Sequence, residues 1–308
     1  MLIDLQNYPL NLVFHRLLED KTTKQNIVYA TDSYLSLGEQ YAADRCMDAK
    51  DIFGLDPINV QPRILKEDAE QADRTRKKAE VFTPAWLCNK MNNFTDEEWF
   101  GRKDVFNIEK DHDWVVVEDP VRFPDKPSKS WKHYVDSRRL EITCGEAPYI
   151  VSRYDASTGE LILPPKRRIG MLDRKLRIVN ENTTNEKDWL KWTYRAFESV
   201  YGYEYQGDNL LLARCNLVLT FSDYIRVRLG RDATKKELEK VSNIIAWNFW
   251  QMDGLTDTVP YAGKRQENHQ YTISDLLNPV EEETTSVYCR ITNWRSKNSL
   301  VFHELKED

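Results

Sequence analysis

The sequence predicts an α/β chain organised on a doubly wound parallel sheet, and three observations carry that expectation. From Arg138 onward, strand-like runs alternate with helical patterns. Strand–helix–strand–helix–strand is the order that produces parallel strands joined by crossover helices. Three carboxylates, Glu141, Glu204 and Asp253, fall at or just past the ends of the successive strand runs. Ligands of open α/β sheets bind at those carboxyl ends.

Composition narrows the class. The 308 residues are 41% hydrophobic and 31% charged, enough for one large domain or two small ones. No stretch approaches the roughly 18 consecutive apolar residues of a membrane span. Met1 to Leu18 has neither a basic start nor a small-residue cleavage site, which opposes a signal peptide. Five cysteines without a close pair oppose a secreted disulfide framework. A cytoplasmic protein is the resulting expectation. Lys and Arg total 44 against 50 Asp and Glu, a net charge of −6. A protein that grips DNA alone carries a basic face. The short basic runs at 74–78, 166–168 and 226–236 read as solvated surface, so another component would supply much of any grip on DNA.

The elements follow in chain order. Leu10, Val13, Phe14, Leu17 and Leu18 have helical spacing, and Asn26 to Thr31 is a short β-rich run. Lys66 to Lys78 is charged and Pro-free, which predicts an exposed helix. Residues 1–78 are taken as an N-terminal α+β extension and 79–308 as the main domain. Pro120, Pro124 and Pro127 among charges predict an irregular connection over 111–137. Leu140 to Thr143 is the first strand, ending at Cys144-Gly145, with a helix start expected at Ala147-Pro148. Asp188 to Ser199 is a helix presenting Trp189, Trp192, Ala196 and Phe197 on one face, and Val200 to Tyr205 is the second strand. Asp208 is expected to cap the next helix, with Leu211, Leu212, Cys215, Val218 and Leu219 inward. Thr234 and Glu237 form a capping box opening another helix. Ile244 to Trp250 is the third buried strand, and Ser286–Thr292 with Ser299–Leu305 is a hairpin.

Carboxylates at adjacent strand ends suit an adenosyl ligand: one accepts from the ribose hydroxyls, another from the adenine amino group. Taken singly, Glu204 and Asp253 are equally well read as carboxylates capping helix N-termini. Three in register favour the ligand.

A resemblance sharpens this reading. Ala79-Glu80-Val81-Phe82-Thr83-Pro84 looks like motif X, "F-T-P", of gamma-class N6-adenine DNA methyltransferases. Leu140-Glu141-Ile142-Thr143-Cys144-Gly145 resembles their motif I, L-E-P-x-C-G. Tyr201-Gly202-Tyr203-Glu204 resembles motif II, and Asp253 is placed like motif III. The order X, I, II, III is the gamma order, and the resemblance covers residues 74 to about 255. It implies a Rossmann-like, S-adenosylmethionine-dependent methyltransferase fold of the type found in restriction-modification subunits. By position, Phe82, Thr83 and Pro84 would border the methionine end of the cofactor, and Glu141, Cys144 and Gly145 its sulfonium region. Glu204 would take the ribose hydroxyls, Tyr205 would pack near the adenine, and Asp253 would accept its amino group. Cys144 also has a plain reading as a small packed side chain.

The departures are specific. Motif I lacks its second glycine, and Glu141 lies 63 residues before Glu204, against roughly 20 for the acidic residue of a dinucleotide fold. An insertion at about 150–195 is therefore expected, serving as a lid, a partner surface or a DNA contact. The family's catalytic motif is a polar residue, two prolines and an aromatic, which orient the amine and stack on the flipped base. Neither Asn278-Pro279-Val280 nor Leu163-Pro164-Pro165-Lys166 nor Asp119-Pro120-Val121 matches it. With the chain ending at Asp308, two readings remain. One is a cofactor-binding half of a split enzyme, inactive alone. Its second subunit would supply Asn-Pro-Pro-Tyr and the target-recognition region, and double-stranded DNA would be engaged through the complex. The other is a non-catalytic interaction or regulatory subunit. Metal, Ser-His-Asp and nucleotide-hydrolysis sites lack their motifs: the five histidines are scattered, and neither G-x-S-x-G nor a Walker A sequence occurs. Pro124-Asp125 with Asp173-Arg174-Lys175 fits only a loose nuclease pattern.

Overall fold

The structure, a computed structural model, describes residues 2–66, 83–265 and 286–306. The helix expected over 66–78 falls almost wholly outside those residues, as does Phe82. Helix α1 (Phe14–Leu18), after a 3-10 turn at Leu10–Leu12, buries the periodic Leu10, Val13, Phe14, Leu17 and Leu18. Helix α2 (Ala49–Phe53) opens on a capping box formed by Asp48 and Asp51. Helix α3 (Ala85–Phe100) ends at Gly101, whose φ of 72° suits glycine. Strands β1 (Asn107–Lys110) and β2 (Asp113–Val116) form an antiparallel hairpin, and α4 (Trp131–Asp136) follows. The connection expected to be irregular over 111–137 thus contains β2 and α4; its prolines, Pro120, Pro124 and Pro127, all lie in the stretch between them.

The α/β core comes next: β3 (Arg139–Glu141), α5 (Met171–Asn182), α6 (Glu186–Phe197), β4 (Val200–Glu204), α7 (Gly207–Leu229), α8 (Lys235–Asn248) and β5 (Phe249–Gln251). The three strands pair in parallel in the order β3-β4-β5. A short helix, α9 (Ala262–Arg265), follows, and the hairpin β6 (Arg290–Asn293) with β7 (Asn298–Val301) comes last. The chain is a mixed α/β protein with a small parallel sheet.

Crossovers between parallel strands are right-handed, so two that step in one direction place their helices on one face. Side-chain alternation separates the faces accordingly. Val200 and Phe249 join the large core built from Leu211, Leu212, Val218, Val241 and Ile245, which also includes Leu10, Val13 and Leu17. Tyr201, Tyr203 and Trp250 point the other way and pack with Ile291 and Phe302 of the C-terminal hairpin region. Gly202 lies on the helical side, where an added Cβ would come within 2.7 Å of the Phe249 ring and 3.2 Å of Cys144 Sγ. Close strand packing explains that glycine.

Several boundaries differ from expectation. Ile244 to Asn248 belongs to α8, so β5 is only Phe249–Gln251; a buried apolar run has no period that separates strand from helix. The β-rich run at 26–31 makes two isolated antiparallel bridges, Asn26 to Glu19 and Val28 to Cys46, rather than a continuous strand. No helix starts at Ala147-Pro148, because both the Glu141 and Asp173 carboxylates draw backbone N–H groups of that segment into turns. The region 150–195 holds a turn bridged at Tyr154 and Leu161, then α5 and most of α6. Asp208 is not a cap: Gln206 precedes α7, and the buried Asp208 carboxylate accepts from Tyr34 Oη at 3.0 Å and Lys66 Nζ at 3.1 Å.

The capping box at Thr234 is present. Thr234 Oγ1 accepts from Glu237 N at 3.3 Å, and the Glu237 carboxylate accepts from Thr234 N at 2.8 Å. Thr234→Ala should cost about 0.5–2 kcal/mol, read as a lower urea midpoint with an unchanged m-value. An unaltered midpoint would mean that tertiary packing alone holds the start of α8.

Candidate functional site

The carboxyl ends of β3, β4 and β5 carry the predicted acidic residues. Glu141 closes β3 with only 8% of its surface exposed. One carboxylate oxygen accepts from Tyr149 N at 3.4 Å; the other, Oε2, is buried with no hydrogen-bond partner. Burial pushes its pKa well above the usual carboxyl range, and the nearby Glu204 charge adds to the rise. Glu204, at the end of β4, is 6% exposed. Its Oε2 accepts from Gly145 N at 2.9 Å and its Oε1 from Gln206 N at 3.0 Å. Burial raises its pKa too, against the lowering effect of those amides. The Tyr205 amide also acts on this carboxylate, which offers about four lone-pair directions.

The loop after β3 is bent by left-handed residues, with φ of 46° at Thr143, 53° at Gly145 and 64° at Ala147. Non-glycine residues in that region are uncommon, and strain of this kind clusters at binding sites. Cys144 is fully buried under Gly202, and burial drives its thiol pKa far up, which matches its plain packing role.

The start of α3 reaches the same place. The Thr83 side chain hydrogen-bonds the Tyr149 hydroxyl, and Thr83 O accepts a weak contact from Cys88 Sγ at 3.7 Å. The charge of Glu141 acts on both Tyr149 and Cys88. Pro84 sits at the N-cap of α3 without a side-chain acceptor, and Asp155 Oδ2 takes Ala85 N at 2.9 Å instead. The polar turn near Asp155 therefore anchors the Thr83-Pro84 segment onto the sheet.

A second group lies beyond β5. Asp253 Oδ1 accepts from Leu255 N at 2.9 Å in a tight turn. Tyr205 hydrogen-bonds Tyr261, and burial together with Tyr261 and Asp253 pushes its phenol up to about 12. Gln251 ties this end to the N-terminal segment: Oε1 accepts from Val28 N at 2.8 Å, while Nε2 donates to Val28 O at 2.9 Å and Tyr205 O at 2.8 Å. One side-chain amide thus pins the backbone of Val28, whose neighbours Ile27, Tyr29 and Ala30 pair with the backbone of Leu18, Met47, Arg45 and Ala43.

The structure brings Thr83, Glu141, Cys144, Gly145 and Glu204 into one cluster and Tyr205 with Asp253 into a neighbouring one. Tyr149, Cys88 and Tyr261 complete the clusters and carry no local signal, since only the fold brings them in. Among the described residues, no group of His, Cys, Asp and Glu could hold a metal ion, and no helix is long and apolar enough to cross a membrane. The cluster holds two buried carboxyl groups, and the charge of Glu204 adds to the upward push on Glu141. Such a site repels phosphate and favours a ligand bearing positive charge and hydroxyl donors. Scans of the chain against protein families, curated proteins and solved structures return no match.

Proposed function

We propose that this chain is the S-adenosylmethionine-binding subunit of a split DNA adenine-N6 methyltransferase of a restriction-modification system, with a Rossmann-like methyltransferase fold. Its second subunit would supply the Asn-Pro-Pro-Tyr group and the target-recognition region, and double-stranded DNA would be engaged through the complex. The observation that supports this best is the half-unpartnered carboxylate of Glu141, buried beside Glu204 at the carboxyl end of a parallel sheet. S-adenosylmethionine is a sulfonium with an ammonium group and ribose hydroxyls, so the acceptors of the cluster suit it.

When bound, that cofactor would supply an electrophilic methyl group. The residues of this chain would bind and orient. Glu141 Oε2 would meet positive charge on the methionine portion, and Thr83 and Pro84 would border that portion. Glu204, aimed by Gly145 N and Gln206 N, would accept from the ribose hydroxyls. Tyr205 and Asp253 would hold the adenine. The loop 142–150 covers both glutamates, so it must swing aside on entry, with Thr143, Gly145 and Ala147 as its bending points. No residue of this sequence aims an acceptor nitrogen, and the chain alone would be inactive.

Calorimetry with S-adenosylmethionine tests the assignment. Hydrogen bonds to a charged group are worth about 1.5–3 kcal/mol, so Glu204→Ala and Asp253→Ala should each weaken affinity roughly tenfold to a hundredfold. Equal affinity in both variants would remove the site. A second reading, an interaction or regulatory subunit without cofactor, draws on one observation: both Glu204 oxygens already have backbone partners. No heat of binding with the wild-type chain at millimolar cofactor would favour it.

A further inference from the structure

Among the described residues the parallel sheet ends at β3. Among the described residues β3 pairs only with β4. Arg139 N donates to Ser199 O on the β4 side, at 2.9 Å. By alternation, the N–H and C=O of Leu140 face outward along an unpaired edge. Parallel sheets are normally covered on both faces and extended at their sides. An open apolar edge is a template for another strand. This edge is apolar: Leu140 is 44% exposed and Ile142 63%.

Two further observations fix what the edge would accept. A cavity of about 210 Å³ adjoins the strand, lined by Leu140, Tyr201, Trp250, Ile291, Leu300 and Phe302 among others. It lies between the sheet and the C-terminal hairpin, with room for an apolar side chain. The surroundings of the strand's start are cationic. Asp136 is held by Arg195 at 2.5 Å and by Arg295 at 2.6 Å, and Glu198 by Arg195 at 3.1 Å. Lys175 is spent on Ser137 O and Ser199 Oγ. Among the described residues Arg138 and Arg139 have no carboxylate partner, and Arg139 Nη2 is buried without a hydrogen-bond partner there.

We propose that a second polypeptide docks here by adding a strand parallel to β3, with an apolar side chain in the cavity and carboxylates meeting Arg138 and Arg139. A second copy of this chain is the poorer occupant. It would bring the same uncompensated arginines, and the one glutamate of its own β3 is already buried. This assignment rests on the split-enzyme reading for the partner's identity, since a parallel strand would deliver its following loop beside Glu141. It can nevertheless fail separately.

The probe is a pair of short peptides, Glu-Val-Val-Val-Glu and Lys-Val-Val-Val-Lys, blocked at both ends and titrated into the isotopically labelled full chain. The Leu140 and Ile142 amide resonances should move, and the acidic peptide should bind about tenfold tighter than the basic one. Leu140→Lys, or Leu140→Gln should the first not fold, should weaken the acidic peptide about tenfold and leave S-adenosylmethionine affinity unchanged. Unmoved amides at millimolar peptide overturn the docking edge, and so does a homodimer that Leu140→Lys dissociates. Lost edge binding with intact cofactor affinity sinks only the edge. Absent cofactor binding with the amides still moving supports the edge and sinks the split-enzyme reading instead.

Discussion

Arg214→Met is expected to destabilise the chain by about 3–5 kcal/mol, the cost of breaking a buried charge's partnership. Arg214 lies in α7, an almost wholly buried helix, and is itself 0% exposed. Its guanidinium donates to Leu17 O at 2.7 Å and Glu19 O at 3.0 Å, and to Phe249 O through both Nε and Nη2, at 2.9 and 2.7 Å. Leu17 and Glu19 end α1, and Phe249 is the C-cap of α8. One cation therefore neutralises the carbonyl ends of two helices, where positive charge is favoured by the helix dipole. Burial lowers its pKa to about 10, which still leaves it charged at neutral pH. Methionine would fill much of the volume while leaving those carbonyls without donors, and each unsatisfied group costs about 1–3 kcal/mol. Arg214→Lys should fall between the two, since an ammonium keeps the charge but not the fork. Urea unfolding of the three proteins measures this, and a methionine variant as stable as the wild type would disprove the clamp.

Arg214 also illustrates what could be read without a structure. Its position inside an apolar helix was visible in the periodicity, but its partners are the ends of elements about 35 and 195 residues away. The strands at Leu140 and Val200 and the capping box at Thr234 were legible because short-range patterning sets them. Strand ends follow from strand positions, so Glu141 and Glu204 could be picked out with them. Tyr149 meeting Thr83, and Tyr261 meeting Tyr205, depend on how distant segments close over the sheet. Asp208 failed for a related reason: a short acid before an apolar helix reads as a cap, yet Tyr34 and Lys66 drew its carboxylate inward. The segment 26–31 keeps its β composition but pairs only at isolated bridges, with the Gln251 side chain holding both backbone groups of Val28.

Glu141→Gln should make the free chain more stable and a poorer cofactor binder at the same time. The folded-state pKa of Glu141 is raised above its ordinary 4.5 by burial and by Glu204. Between the ordinary and raised values the folded chain holds a proton that the unfolded chain releases. Stability therefore falls as pH climbs through that window and is fullest below it. Glutamine keeps the shape and removes the ionisation, so at neutral pH it should raise stability by relieving the proton uptake that folding forces on Glu141. The decline of stability above pH 4.5 should flatten but not vanish, because the raised Glu204 contributes the same sign. Binding should respond oppositely. A cationic ligand draws Glu141 into its charged form, so affinity in the wild type should rise with pH and binding should release a proton. Glutamine should abolish that release and weaken S-adenosylmethionine about tenfold or more. Denaturation and calorimetry across pH measure both halves. A carboxylate kept buried and half-unpartnered at a stability cost makes sense if a ligand completes it. A glutamine variant that gains stability yet binds the cofactor unchanged, with the same proton release, would mean that Glu141 is merely a poorly satisfied core residue and that the positive charge is met elsewhere.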